Sequence, residues 1–554
     1  MLLIAVGMKR LATLLAAAAL AAPACAVETD VYDDEAVKSD DGKADSSALA
    51  VFVDFTFEGT LLTSSSWDDE QTVQDQLLYT VGLLNGSNSV GRVDKVVVTN
   101  VTKRTVGGKT ELKYTAKLPV AWGKRNAVPN TYDLQLPKDI SAAGQQAFAD
   151  KYAHSCIDAG AHDVDASSMF YYYRPKASGC TLSADDVVTV TAMVSPSPIA
   201  STGKFPEYNK VWEDNTLNVV AIFGKYEDGA TTASDAGISA YNAFIAAMKT
   251  ELGARQLTTI PATVPSAPGV GSPDIEFNAT LADGKKVRVV AMLTDNVTTG
   301  LSQPAFRQRY ETLSSRADYI VYNGHAGLGT NVRALAQRGK WVAGQYVVVY
   351  MNGCDTFAYI DDALNTAHKN INPDDTTGYK YIDIINNAMP AFFHSMTGAT
   401  MSIFRGLLAH DNPKTYEEMF RSVDSSQVVL VSGEQDNQYT PGAGPVTPPP
   451  TGTWAGISET GSVTKGEAKN WTTPVLPAGK YSFAMTPNGS TGGDADLYVR
   501  IGRAPTATAF DCRPYKTGST EACEVSIAQP TSLFVQIKGY STGASKYKLV
   551  GKKL

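Results

Sequence analysis

Cysteine is scarce in this chain, with six in 554 residues. Long apolar runs are scarcer: beyond the first 26 residues nothing approaches the roughly 18 apolar residues a membrane-spanning helix needs. Charge is modest and leans acidic, 48 Lys and Arg against 56 Asp and Glu. No cluster of basic side chains stands out of the kind a phosphate backbone requires, so no nucleic-acid partner is expected and an anionic membrane surface is disfavoured. HExxH, CxxC and P-loop patterns are missing, and no GxSxG nucleophile elbow is found. His368, His394 and His410 have no partner at helical spacing, so no zinc site is expected, and no cofactor is expected to be required.

What is present is ordinary globular composition, 43% apolar and 19% charged, in a chain too long for one core. Near the start, Lys9 and Arg10 precede LATLLAAAALAAPACA, which ends in a small-x-small site at Ala26. This is the pattern of a Sec-type signal peptide over residues 1–26, with translation starting at Met1 or at Met8. The mature protein is therefore expected to be secreted, with lipid anchoring through Cys25 as the alternative. Cleavage after Ala26 leaves five cysteines. Short-range pairing joins Cys156 to Cys180 and Cys512 to Cys523, and leaves Cys354 as an odd thiol.

Composition shifts mark the domains. Residues 27–47 are an acidic, flexible leader. Residues 48–205 alternate apolar and polar, break at a Gly107-Gly108 hairpin signal, and read as a mostly β accessory or pro-domain. His154 and His162 flank Cys156 there and read as surface residues. From 206 to 437, short apolar runs such as LNVVAIFG, KVRVVAML and YVVVYMNG alternate with amphipathic segments. Ile238, Tyr241, Phe244, Ile245, Met248 and Leu252 share one face of such a helix, and the whole indicates a mainly parallel sheet covered on both sides. Residues 438–455 form a Pro/Gly/Thr linker. Residues 456–554 turn β again and suggest a small β-sandwich. The expected class is thus multidomain: β-rich, then α/β, then β-sandwich.

Two runs of the α/β region end in nearly the same words, VYNGHAG and VYMNGCD. His325 and Cys354 each directly follow Asn-Gly, 29 residues apart, about one βαβ unit. In parallel sheets function gathers at the carboxyl ends of strands. A thiol there needs a neighbouring imidazole to become a nucleophile, and the same imidazole can protonate a leaving amine. Gly324, Gly327, Gly329 and Gly353 would admit backbone N–H donors to an oxyanion, with Cys354, Ala326 and Gly327 as the candidate donors. Asp355, Asp361 and Asp362 follow, either as a solvated helix start, as groups orienting the dyad, or as partners for a basic substrate side chain.

This order and spacing resembles the caspase-like cysteine peptidases, including clostripain, gingipains and legumain. The resemblance implies a central caspase-like α/β domain, Cys354 as nucleophile and His325 as base and acid. The chain departs from that pattern at Ala326, where Gly usually follows the histidine, and at Gly353, where Ala is usual. GGDADLYVRIGRAPT (492–506), FDCRPYKTGSTEACEVSI (510–527) and FVQIKGY (534–540) resemble the bacterial pre-peptidase C-terminal domain, a β-sandwich carried by secreted peptidases. That resemblance accommodates the Cys512–Cys523 pair and implies a candidate calcium site at Asp494 and Asp496. The expectation is a secreted cysteine endopeptidase acting on protein or peptide. The alternative is a non-catalytic surface or adhesion protein with a degenerate caspase-like scaffold and a polymer-binding sandwich.

Overall fold

A computed structural model of the chain describes residues 50–64, 68–124, 126–161, 164–441, 454, 456–474, 476–489, 493–501, 505–506, 510–527 and 531–554. The expected signal peptide with Cys25, the acidic leader, His162 and most of the linker lie outside them. The chain divides into two compact units, Met1–Gly442 and Ala443–Leu554. The β-rich and α/β regions therefore share one unit.

The first sheet of that unit contains β1 (Val51–Thr63), β2 (Ser89–Gly91), β3 (Val97–Val106), β4 (Lys109–Trp122), β5 (Thr131–Pro137) and β6 (Val187–Pro196), in the order β2-β4-β1-β6-β5 with β3 also on β4. β1 and β4 pair antiparallel over their full length, from Val51 opposite Trp122 to Thr63 opposite Thr110. Their inward residues, among them Phe55, Phe57, Leu61, Leu112, Tyr114 and Leu118, are buried. The expected Cys156–Cys180 disulfide is formed beside this core.

The second sheet contains β7 (Thr216–Gly224), β8 (Thr258–Ile260), β9 (Asp274–Thr280), β10 (Lys286–Thr294), β11 (Tyr319–Asn323), β12 (Val347–Asn352), β13 (Ile382–Asn387) and β14 (Val429–Ser432), in the order β14-β13-β12-β11-β7-β10-β9-β8. The five central strands, β13 to β10, are parallel; β14 and β9 run antiparallel to them, and β8 pairs antiparallel with β9 at the edge. Alternate residues of each strand enter different cores. Val219, Ala221, Phe223, Val348 and Tyr350 meet the helices Ala236–Leu252 and Phe393–Leu408 on one face. Val220, Ile222, Ile320, Val347 and Val349 meet Pro304–Ser314 and Thr330–Arg338 on the other. Burial on both faces explains the continuous apolar runs.

β7 is followed by chain that returns on its β10 side, whereas β11 lies on its other side and leads on to β12. The loops leaving β7 and β11 thus diverge, which opens a crevice at their carboxyl ends. At the amino end of the same sheet, Asp383 of β13 is fully buried. It accepts hydrogen bonds from the Tyr346 and Tyr416 hydroxyls and from Asn437 Nδ2 at 2.6 Å, tying the end of the unit to the sheet.

The second unit contains β15 (Ile457–Val463), β16 (Ala468–Thr472), β17 (Gly479–Pro487), β18 (Ala495–Ile501), β19 (Glu521–Ile527), β20 (Leu533–Gly539) and β21 (Ser545–Lys553). They form two sheets, β15-β21-β17-β19 and β16-β20-β18. Both contribute to one core of Val463, Tyr481, Phe483, Leu497, Val535 and Leu549, so the unit is a β-sandwich. The expected Cys512–Cys523 disulfide is formed here.

Burial pushes the Asp383 carboxyl up to about 7 and that of Glu434 up to about 8. The folded state therefore holds these protons more tightly than the unfolded chain. The stability they contribute is complete below the ordinary carboxylate range and is lost as pH rises through about 7 to 8. The melting temperature should fall by several degrees between pH 5 and pH 8. Asp383→Asn should flatten part of that slope, and calorimetry across pH checks both.

Candidate active site

The two Asn-Gly turns end neighbouring strands in register, Asn323 of β11 opposite Asn352 of β12. Asn352 Nδ2 donates to Asn323 Oδ1 at 2.7 Å. Thr400 Oγ1 also donates to Asn323 Oδ1, at 2.9 Å, and Gln427 Nε2 donates to Asn352 Oδ1 at 3.1 Å. Buried amides are costly without partners, so this network pins both strand ends. Just beyond, Gly324 N–H donates to the Asn352 carbonyl at 3.2 Å. A Cβ on Gly353 would stand 2.6 Å from the Gly324 carbonyl oxygen and 3.3 Å from the Ala326 nitrogen. No alanine fits there, which gives the departure at Gly353 a steric cause.

His325 emerges beside the crevice between β7 and β11. Its Nε2 lies 2.8 Å from the carbonyl oxygen of Tyr226, in the loop after β7. A carbonyl only accepts, so Nε2 carries the proton and Nδ1 keeps its lone pair. Nδ1 is buried and has no hydrogen-bond partner among the described residues. The Tyr226 backbone is itself fixed by Asp235, the N-cap of helix Ala236–Leu252. The Asp235 carboxylate accepts from Tyr226 N–H at 3.1 Å, Glu227 N–H at 2.8 Å and Ile238 N–H at 2.9 Å. Asn331 Nδ2 holds the other side of the turn, donating to the His325 carbonyl at 2.7 Å.

The segment after β13 borders both candidate residues. Phe393 packs against the His325 ring, centroids 5.3 Å apart, and Tyr226 packs against both rings. The Cys354 sulfur lies 3.7 Å from the Ala391 carbonyl oxygen. The sulfur is nevertheless not the unpaired thiol expected from the sequence. Cys354 is disulfide-bonded, and no cysteine among the described residues is free. The odd count came from subtracting Cys25 with the signal peptide; over the whole chain the count is even. Of the candidate oxyanion donors, the N–H groups of Ala326 and Gly327 bond to no acceptor among the described residues. Gly329 adopts φ +84, where a Cβ would stand 2.5 Å from the Tyr359 carbonyl oxygen, so this tight turn needs glycine.

The three carboxylates after Cys354 correct the sequence expectations. Asp355 is no solvated helix start: it is fully buried with φ +50, and its Oδ1 accepts from Asn85 Nδ2 at 2.8 Å. Burial pushes it up to about 6, against the hydrogen bond from Asn85. Asp361 pairs with Arg333 at 3.1 Å and Asp362 with Lys95, so neither stands open for a basic substrate side chain. Asn85 and Lys95 belong to the β-rich region, whose Phe52 also packs edge-on against Phe357. Only tertiary structure brings these residues to the site; Asn85, Asp235 and Asn331 carry no local sequence signal.

The remaining candidates are dispersed. His368 is buried against Trp341, and burial pulls it down to about 4. His394 stacks on Phe392, while His410 Nε2 lies 2.7 Å from Asp283. His154 lines a groove of about 1050 Å³ in the β-rich region with Asp158 and Arg174. In the second unit, Asp496 pairs with Arg513 at 2.8 Å and Asp494 accepts from Gly518 N–H at 2.8 Å. Both candidate calcium ligands are thus engaged by protein donors, and among the described residues no group of three or more His, Cys, Asp or Glu could hold a metal.

Asn85→Ala leaves the Asp355 carboxyl without this donor and should destabilise the first unit by about 1–3 kcal/mol. Chemical denaturation followed by Trp fluorescence measures this, and an unchanged midpoint would show that the contact carries no stability.

Residues 470–539 match the family model described as the bacterial pre-peptidase C-terminal domain. The chain is 39% identical over 99 residues to a neutral protease of Vibrio proteolyticus, covering 18% of this chain and 16% of the relative. It is 43% identical over 68 residues to a zinc metalloprotease of Helicobacter pylori, 11% of this chain and 27% of the relative. It is 55% identical over 49 residues to alkaline serine exoprotease A of Vibrio alginolyticus, 9% of each chain. The chain thus spans at most about a quarter of the length of these relatives. Among solved structures, vEP C-ter 100 is 36% identical, over 18% of this chain and 90% of that one, with a TM-score of 0.15. The pre-peptidase C-terminal domain of a Bacillus anthracis collagenase is 14% identical over 18% and 89%, with a TM-score of 0.14. On the sequence match and the β-sandwich together, the second unit of this chain carries a bacterial pre-peptidase C-terminal domain.

Proposed function

We propose that the protein is an exported peptidase whose first unit hydrolyses peptide bonds through Cys354 and His325 in a caspase-like arrangement. One observation carries the reading: His325 and Cys354 leave adjacent parallel strands at matched positions, at the sheet's crevice, with the His325 Nε2–H given to the Tyr226 carbonyl. That leaves Nδ1 as the atom able to take a proton. The parallel strand order around it supports the same reading. The relatives are named proteases, which supports a peptidase. Their names include metalloproteases and a serine protease, so the matched stretches carry no catalytic type with them.

In this mechanism the Cys354 thiolate attacks the carbonyl carbon of the scissile bond, and the oxygen gains charge facing the free N–H groups of Ala326 and Gly327. His325 then delivers a proton to the leaving amine. Water, deprotonated by the same imidazole, hydrolyses the thioester and restores the thiol. The mechanism uses the thiol that reduction releases, since Cys354 is disulfide-bonded in this structure.

Ala326, where Gly usually follows the histidine in the caspase-like pattern, favours a second reading, a non-catalytic exported protein on the same scaffold. Turnover of a denatured protein substrate by the full chain, with and without a thiol reductant, separates the two. The expected result is turnover only after reduction, with Cys354→Ala and His325→Ala each lowering kcat/KM by about 10³-fold or more. Undiminished turnover in Cys354→Ala would overturn the cysteine type. Absence of turnover in the reduced parent would favour the non-catalytic reading.

A further inference from the structure

Although the chain as a whole is acidic, its charge is unevenly divided. Residues 456–554 carry twelve Lys and Arg against seven Asp and Glu, a net +5; with −8 overall, the remainder carries −13. The basic residues of this unit are also ordered. On β21 the inward positions Tyr547, Leu549 and Gly551 are buried, and the outward positions Lys546, Lys548 and Lys552 are exposed. Period-two alternation therefore lines three ammonium groups along one strand, spaced at about 7 Å and about 13 Å. Lys480 of β17 is exposed on the same outer face.

Register identifies what surrounds them. Across β15, Lys546 stands opposite Ser462 and Lys548 opposite Thr460. Across β17, Lys548 stands opposite Thr486 and Lys552 opposite Ser482. The neighbours of the lysine row are hydroxyl side chains, and the nearest outward carboxylate, Glu524, is two strands away from Lys552. None of the four lysines is in an ion pair among the described residues. Unpaired like charges aligned on a flat strand repel one another, and a polyanion relieves that repulsion.

We propose that the outer face of the β15-β21-β17-β19 sheet binds an acidic polysaccharide, a chain of sulfated or carboxylated sugars. Lysine supplies point charges for sulfate or carboxylate, and the Ser and Thr rows supply donors and acceptors for sugar hydroxyls. A single-stranded nucleic acid would call for aromatic stacking, which this row of Lys, Ser and Thr does not offer. A membrane surface would call for an inserted apolar wedge, and Val550 is the one large apolar side chain in the row. This inference is independent of the catalytic reading, because it concerns the second unit alone.

The test is retention of the full chain on immobilised heparin along a salt gradient, with binding constants measured at low salt. The variant Lys546→Gln/Lys548→Gln/Lys552→Gln should elute at clearly lower salt and bind about tenfold more weakly or worse, since such contacts are screened charge by charge. A matched variant, Lys465→Gln/Lys469→Gln/Lys516→Gln, removes the same charge from exposed positions elsewhere in the unit and should retain most of the binding. Equal losses in the two variants would reduce the effect to net charge and overturn the site, as would unchanged retention of the first. Tighter binding of duplex DNA or of phosphatidylserine vesicles than of heparin would overturn the polysaccharide assignment.

Discussion

The close approach of two backbone turns governs the first unit. Gly324 and Gly353 lie side by side at the ends of β11 and β12, where a single methyl group on Gly353 would collide with the Gly324 carbonyl. The contact is steric, so it admits no gradual compromise. It brings the Asn323 and Asn352 amides together, and their burial then requires Thr400 and Gln427 to complete the network. Through Thr400 the turns are tied to helix Phe393–Leu408, whose first residue packs on the His325 ring. Position of the imidazole is thus set by sheet register together with the loop after β7, whose Tyr226 carbonyl meets the ring.

The β-rich region belongs to the same physical system. Asn85 donates to Oδ1 of Asp355, the residue after Cys354, across 270 positions of sequence. Phe357 enters the β-rich core, and Lys95 reaches Asp362. Detaching residues 50–197 would expose Phe357 and leave a buried carboxylate without its donor, at a cost on the order of several kcal/mol from the two changes together. This argues against a segment that is simply discarded. It favours a region that shapes the turn carrying Cys354, and it explains why the chain clusters into one unit there.

Much of this was legible in the sequence because the signals were periodic. Continuous apolar runs marked β7 and β10 to β12, and the face of Ile238, Tyr241 and Phe244 marked a core helix. The twin Asn-Gly words placed His325 and Cys354 at matched strand ends. What stayed hidden was non-local or parity-dependent. Asp235 looks like any helix cap, and its hold on the Tyr226 backbone exists only because β7 ends beside that helix. Asp355 read as a solvated turn because nothing near it in sequence announces the sheet that buries it. The lysine row of β21 stayed hidden for a different reason: SKYKLVGKK interleaves its lysines with core residues, and only strand parity sorts the charges onto one face.

The division of labour follows from what is shared with other proteins and what is not. The pre-peptidase C-terminal unit is matched, while the relatives described above include one named a zinc metalloprotease and one named a serine exoprotease. Relatives of differing protease names share this stretch, so the match by itself assigns it no part in bond cleavage. A sandwich suits location: its core is closed by two sheets and a disulfide, which leaves the outer faces free to vary without disturbing the fold. On this chain one such face has become a lysine row, while the remaining sequence carries the opposite charge. The surplus of positive charge on this unit would favour contact with a polyanion, and the acidic remainder of the chain would not.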